Sequence, residues 1–325
     1  MASPRTLVCA AVASVVIMGG TTAGTFYVQA RAHSGVRPEA SAAASATGEG
    51  PVEPVAESLD PAEPAEPAAP AAPAVDRDAL LARAMAEVSV EDGAEVSVAV
   101  LDLETGERAG YGEGAFDTAS IVKVDILAAL LLQAQDAGRR LTDAEKAYAT
   151  AMIVSSDNAS ASALWRTIGK AKGLDAANER FGLTGTEGGD GMLWGLTQTT
   201  AADQLTLLGQ VFGDDGDSEL SAESRSYVRG LMGRIAAGQD WGVSAVADGS
   251  SWALKNGWLP RTATGLWDIN SIGRVTADGH DCLLAVLSDG NSTKKRGVEL
   301  VEAAARAGVT AATADPASAS AAPTG

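Results

Sequence analysis

The pattern of apolar positions changes character several times along the chain. Leu80, Leu81, Ala84, Met85 and Val88 recur on one side of a helical wheel, which predicts a helix over 76–88. Residues 95–103 alternate as a strand does, Glu104-Thr105-Gly106 makes a turn, and 107–111 returns as a second strand. From Ser120 to Ala137 the chain is strongly apolar, with no Gly or Pro before Gly138, so a buried helix is expected there. Thr142 followed three residues later by Glu145 is a capping box and opens another helix. Further helices are predicted over 159–168, 175–181, 200–212 and 222–237. Strand patterns return at 251–258, 266–275 and 281–288, and a last helix is predicted over 295–307.

Strands thus sit at both ends of this region and helices fill its middle. The economical arrangement is an α/β (α+β) fold. It has one antiparallel sheet of about five strands drawn from both chain ends, flanked by helices, beside a helical lobe. A cleft between sheet and lobe is where a site is expected.

The flanks read differently. Residues 1–32 carry a positive start at Arg5, an apolar run from Leu7 to Val28, and Ala30-Arg31-Ala32, which fits a small-residue cleavage site. This predicts either a signal peptide or an uncleaved membrane anchor, the run being long enough for both. Cys9 lies too early, behind Leu7-Val8, for a lipidation site. Residues 33–75 are rich in Ala, Pro, Glu and Ser and cannot bury a face, so they are expected to be a disordered linker. Residues 309–325 look like a second such tail, which leaves 76–308 as one globular domain. The expected location is extracellular or at the cell surface.

Composition narrows the class. The 325 residues carry 42 acidic and 24 basic side chains, a net charge of −18, which argues against a nucleic-acid partner and supplies no basic patch for anionic lipid. Contact with a membrane is expected only through the N-terminal anchor. The two cysteines, Cys9 and Cys282, give no disulfide framework once a leader is lost, and Cys282 in its apolar run reads as a buried structural thiol. There are only two histidines, His33 in the linker and His280 in a hairpin turn. A histidine-based zinc site is excluded in practice, and neither a metal nor another cofactor is expected. A serine enzyme built from this chain needs a base other than imidazole, and lysine is the obvious one.

Three short motifs offer that chemistry. In Ser120-Ile121-Val122-Lys123 a serine and a lysine three apart on a helix share a face, so the amine can reach the hydroxyl. The helix N-terminus favours negative charge developing near Ser120. Alone, the spacing is weak and is equally that of an ordinary helix start. Ser156-Asp157-Asn158 lies in a loop between helices, where Asp or Asn also serves as an N-cap. Lys255-Asn256-Gly257 sits in an apolar late strand: the lysine wants a partner or snorkels from an edge, and the glycine permits close backbone approach. Trp165, Trp194 and Trp258 are candidates to line a cleft, with Trp165 favoured as core and Trp258 as a cleft residue. Arg261 and Arg274 are candidates for carboxylate recognition.

Together the three motifs resemble the S-x-x-K, S-D-N and K-T-G boxes of the penicillin-recognising serine enzymes. Within that superfamily the chain is most similar to class A β-lactamases. VSVAVLDLETGERAGY, FDTASIVKVDILAALLLQ and GLTQTTAADQLTLL resemble that family's first hairpin, its nucleophile helix and the region after its omega loop. The likeness spans nearly all of 76–308 and implies a β-lactamase/transpeptidase-like fold.

It also implies roles. Ser120 would be the nucleophile and Lys123 its base, kept neutral by the nearby cation Lys255. Ser156 would relay a proton to the leaving nitrogen. Asn158 would bind the substrate's side-chain amide, and Lys255 its carboxylate. Asn256, Gly257 and Trp258 would complete the binding strand, with the N–H groups of Ser120 and Trp258 as oxyanion hole. The implied partner is a small β-lactam or a peptidoglycan peptide.

Three departures qualify this. Ser120 and Ser156 are closer in sequence than class A enzymes have them, which implies a more open cleft. The E-x-x-L-N motif of the omega loop, whose glutamate activates the deacylating water, has no counterpart in the Gly-rich stretch 186–195, where only Glu187 and Asp190 are available carboxylates. Asn256 stands where the family has Thr or Ser. Three readings follow: a class A β-lactamase-like hydrolase that acylates readily and deacylates slowly, a D-Ala-D-Ala carboxypeptidase acting on wall peptides, or a catalytically silent wall-binding domain.

Overall fold

The computed structural model describes residues 75–315. The expected leader, all but the last residue of the linker, and residues 316–325 of the expected tail lie outside the described residues.

Helix α1 (Arg77–Ala86) is capped by Asp76, whose carboxylate accepts from Ala79 N at 2.9 Å. Strands β1 (Glu95–Asp102) and β2 (Arg108–Tyr111) form the expected hairpin. The chain then passes through β3 (Phe116–Asp117) and a single 3₁₀ turn at Ala119–Ile121 into α2 (Val122–Asp136). Helices α3 (Asp143–Val154), α4 (Asn158–Ile168) and α5 (Lys170–Phe181) complete the first part of the helical lobe. The capping box of α3 is present in both directions, between Thr142 and Glu145. A long loop leads to β4 (Gln198–Thr199), followed by α6 (Ala201–Phe212) and α7 (Ala222–Met232). Strands β5 (Trp252–Pro260), β6 (Trp267–Ala277) and β7 (His280–Asn291) and helix α8 (Lys294–Ala312) end the described chain.

The main sheet is antiparallel, in the order β2-β1-β7-β6-β5, so early and late strands meet at β1 and β7. Helices cover both of its faces. Leu81, Met85, Leu300, Val301 and Ala304 of α1 and α8 pack on Val98, Val100, Leu284 and Val286. The opposite face, with Ala253, Ile272, Leu283, Ala285 and Leu287, joins the core of the helical lobe. Each such Val or Leu withdrawn from water contributes about 1.5–3 kcal/mol. Cys282 is buried and free, as its apolar surroundings predict.

Three helix boundaries move by about five residues, and the first is the start of α5, at Lys170 rather than 175. Helix α7 stops at Met232 rather than 237, where Gly233 caps it with an N–H to Arg229 O. Helix α8 runs past 308, because Val309, Ala311 and Ala312 are buried against the sheet and Ala311 O accepts from the Arg77 guanidinium at 2.9 Å. The globular fold therefore includes the start of the segment expected as tail.

Candidate active site

Ser120 occupies the 3₁₀ turn that leads into α2, and Lys123 follows on the first turn of the helix. Lys123 Nζ lies 2.9 Å from Ser120 Oγ. The turn is held from three sides. Ala119, just before the serine, sits at φ 48°, a left-handed conformation costing a non-glycine residue roughly 1–3 kcal/mol and persisting only where its surroundings fix it. Asn270 on β6 donates its amide to Asp117 O and Thr118 O at 2.9 and 3.1 Å. Gly257 on β5 presses against the turn from the sheet. A Cβ there would lie 2.7 Å from Thr118 O and 2.9 Å from Ser120 N, so only glycine allows this approach.

The Ser156-Asp157-Asn158 segment divides its labour. Asp157 is the N-cap of α4, its side chain accepting from Ser160 N at 2.7 Å. Ser156 takes a positive φ of 55° and turns its hydroxyl and its carbonyl towards Lys123. Lys123 Nζ lies 2.7 Å from Ser156 O, 3.0 Å from Ser156 Oγ and 2.8 Å from Asn158 Oδ1. From the sheet, Lys255 Nζ reaches the same Ser156 Oγ at 3.1 Å and donates also to Asn256 O at 2.9 Å.

This geometry speaks to protonation. Ser156 O and Asn158 Oδ1 can only accept, which uses two N–H bonds of Lys123. A neutral amine has two, leaving its lone pair for the hydroxyls. Lys123 is 0% exposed, and burial brings its pKa down to about 7 from the usual 10.5, with the Asp157 carboxylate opposing. Lys255 is pushed well below the lysine range, first by burial and then by Lys123. The resemblance implies that Lys255 keeps Lys123 neutral. Burial is the larger cause at Lys123, and the repulsion between the two amines is felt at Lys255.

Two expected binding residues face elsewhere. Strand alternation puts Ala253, Lys255 and Gly257 on the lobe face, and Leu254, Asn256 and Trp258 on the α8 face. The Asn256 amide donates to Gln239 O and Trp241 O, both at 2.8 Å, so it is not an amide contact to a substrate carboxylate. Trp258 packs against Trp241 with the rings tilted and their centroids 6.1 Å apart, and the Lys294 ammonium lies 4.1 Å from its ring centroid, so its side chain is not in the cleft. Its backbone remains on the free rim of β5, the edge strand of the sheet. Trp165 is core, donating to Gly191 O at 2.9 Å. Arg261 pairs with Asp117 and Asp268, and Arg274 with Asp281 at the β6–β7 hairpin, away from Ser120.

The loop between α5 and α6 carries the two candidate carboxylates and Trp194, one of the three tryptophans the sequence offers for the cleft. Glu187 and Asp190 are exposed, and no hydrogen bond or ion pair joins either to Ser120, Lys123 or Ser156. Trp194 instead stands over Lys123, with its ring centroid 5.0 Å from Nζ. The two-residue strands β3 and β4 pair with each other and stitch this loop to the chain just before the serine.

A buried polar network supports α2 from behind. Asp125, two residues beyond Lys123, accepts from Gln204 Nε2 at 3.1 Å, and Gln204 donates also to Thr199 Oγ1 at 3.0 Å. Asp125 Oδ2 and Gln204 Oε1 have no partner. Burial raises the Asp125 pKa to about 7 from 3.8. The folded state therefore keeps a proton that the unfolded chain sheds above pH 3.8. Stability should fall as pH rises from about 4 to 7, by roughly 4 kcal/mol at 1.36 kcal/mol per unit. Asp125→Asn should flatten that slope and raise the midpoint of urea unfolding at pH 8 relative to pH 4.5. An unchanged slope contradicts a neutral Asp125.

The sequence profile of the beta-lactamase enzyme family matches residues 80–146 and 146–312. No curated protein matches the sequence. Among solved structures, TLA-1 extended-spectrum β-lactamase is similar at TM-score 0.61 and 16% identity, over 71% of this chain and 96% of that one. A class A β-lactamase representative from Bacteroides cellulosilyticus DSM 14838 gives TM-score 0.61 and 15% identity, over 74% and 99%. PBP-A gives TM-score 0.60 and 20% identity, over 70% and 94%. At these identities the structural likeness speaks for the fold, and the profile match, covering most of the chain, for the family. The protein belongs to the beta-lactamase enzyme family.

Proposed function

We propose that the protein is a serine hydrolase of the β-lactamase kind that forms an acyl-enzyme on Ser120 with β-lactams or related amides. One observation carries this reading. The Ser120 hydroxyl, two buried amines and the Ser156 hydroxyl converge through contacts of 2.9–3.1 Å, without an imidazole among them. A purely structural or binding role gives no reason to bury two lysines with no carboxylate bonded to either.

In the acylation step Lys123 Nζ takes the proton of Ser120 Oγ, and Oγ bonds to the substrate carbonyl carbon. Negative charge on the carbonyl oxygen is met by the backbone N–H groups of Ser120 and Trp258, each worth about 2.7–4 kcal/mol in a well-formed hole. The C–N bond then breaks. Ser156 Oγ gives its proton to the leaving nitrogen and recovers one from the lysine ammonium. The proton lost by Ser120 thus ends on the leaving amine. Lys255 attracts the substrate carboxylate, which in turn restores charge to its amine, and Asn158, exposed at the cleft rim, binds the side-chain amide.

Deacylation is the weak step. Water needs a positioned base, and the carboxylates of Glu187 and Asp190 are not held near Ser120. A mutant of PBP-A captured as an acyl-enzyme complex with penicillin G has a related fold. The apolar leader is the ground for placing the activity outside the cell. Time-resolved mass spectrometry after mixing with penicillin G tests the reading. We expect one adduct on the peptide containing Ser120, persisting for minutes or longer. Loss within seconds overturns the slow deacylation, and no adduct at high dose overturns the activity.

The missing omega-loop glutamate, the group tied to β-lactam turnover in the family this chain resembles, also favours a second reading, a carboxypeptidase acting on D-Ala-D-Ala wall peptides whose own acyl-enzyme is cleared by water. Release of D-Ala from a pentapeptide without turnover of a chromogenic cephalosporin would select it.

A further inference from the structure

Among the described residues, Trp194 is the aromatic side chain that faces the candidate base, and its placement is built rather than incidental. Its indole Nε1 donates to Ser162 Oγ on α4 at 3.1 Å, which fixes the ring plane. Its backbone carbonyl accepts from Thr197 N at 3.2 Å, and Thr197 O accepts from Thr118 N at 2.9 Å, two residues before Ser120. The loop that carries the ring and the turn that carries Ser120 are therefore tied to each other through the backbone. The ring centroid stands 5.0 Å from Lys123 Nζ.

The other sides of Lys123 are already taken. Ser120, Ser156 and Asn158 supply neutral oxygens. Asp157 at the start of α4 is the carboxylate that favours the ammonium, burial opposes it, and the neighbouring amine of Lys255 on β5 meets the repulsion between the two at its own nitrogen. Asp125 of α2 is turned into the Gln204 network, and Glu187 and Asp190 of the loop are exposed and unbonded to Lys123. The side left over is where water would solvate an ammonium, and Trp194 covers it.

We propose that Trp194 is a positioning residue for the base: its indole face excludes water from Lys123 Nζ and so keeps the amine in the proton-accepting form. A carboxylate at this place would hold the lysine charged. An indole face attracts an ammonium too, by about 0.5–2 kcal/mol, and on this proposal the loss of water around the charged form outweighs that attraction. The inference rests on the reading of Lys123 as the base, and it concerns how that base is tuned.

The test is the pH dependence of labelling by a fluorescent penicillin, from pH 5.5 to 9.5, in the full protein and three variants. Trp194→Ala admits water, so the rising limb of the rate should move up by about one pH unit or more, with the rate recovering at high pH. Trp194→Phe keeps an apolar face and should hold the limb near the parent position. Ser162→Ala frees the ring and should shift the limb in the same direction by less. A Trp194→Ala limb at the parent pH, whatever its plateau, overturns the proposal and leaves the ring a packing or substrate contact. Titration of the Lys123 Cε signal by ¹³C NMR, assigned by its loss in Lys123→Met, reads the same shift without activity. If the parent protein is never labelled, the functional reading fails, and the NMR titration still decides the role of Trp194.

Discussion

Lys123→Met should slow acylation at Ser120 by about 10²–10⁴-fold, the span typical of a lost general base, in a protein that remains folded. Methionine fills the lysine's volume without the amine. Lys123→Arg should be no better, because a guanidinium stays protonated and cannot accept the serine proton. The stability argument points the other way from the activity argument. The folded-state pKa of Lys123, about 7, lies below the 10.5 of an unperturbed lysine. The cost of keeping the amine deprotonated is thus absent above pH 10.5, grows as pH falls, and is complete below pH 7. Removing the amine should leave the thermal midpoint at pH 7 unchanged or higher. Labelling rates within a few-fold of the parent, measured on folded Lys123→Met, contradict the assignment of the base.

Gly257→Val should be nearly as damaging, through geometry rather than chemistry. Each of the atoms a Cβ would meet at Gly257 within 3.1 Å, namely Thr118 O, Ser120 N and Ile121 N, belongs to the backbone of the nucleophile turn. None can rotate away, so either β5 or the turn must shift, and the N–H of Ser120 moves with it. Loss of one oxyanion donor costs about 10²–10³-fold in rate, and the overpacking itself about 1–3 kcal/mol of stability. Gly230→Ala, on an exposed face of α7 where an added Cβ meets nothing within 4 Å, is the matched control. It should leave labelling intact and stabilise the helix by about 0.5–1 kcal/mol. Acylation and denaturation measured on both variants check the contrast; equal behaviour would show that the close approach of β5 to Ser120 is immaterial.

Much of this site was legible because its signals are local. The capping box of Thr142 and Glu145 depends on four consecutive residues, and the Ser120–Lys123 reach on one helical turn. The scarcity of histidine already pointed to an amine as base. Three things were not legible for physical reasons. Lys255, Asn256 and Gly257 read as one box in the sequence, yet a strand sends neighbours to opposite faces, so Asn256 and the Trp258 ring belong to the α8 side. The alanines after Gly308 look like low-complexity tail, and only contact with the sheet makes them helix. Trp194 is a cleft candidate in the sequence, but its place over Lys123 depends on β3 and β4, each two residues long and invisible to any periodicity. Asn270 did leave a trace, as a polar residue between the core positions Ile269 and Ile272 of an apolar strand. That is where a buried amide holding another element should be sought.

The most direct measurement of the central claim is the rate of penicillin labelling at Ser120 as a function of pH in the unmodified protein. With an amine of pKa about 7 as the base, the rate should climb tenfold per unit below neutrality and level off above it, and the climb should vanish in Lys123→Met. A rate that is flat between pH 6 and 8, or a climb that survives the loss of Lys123, would contradict it.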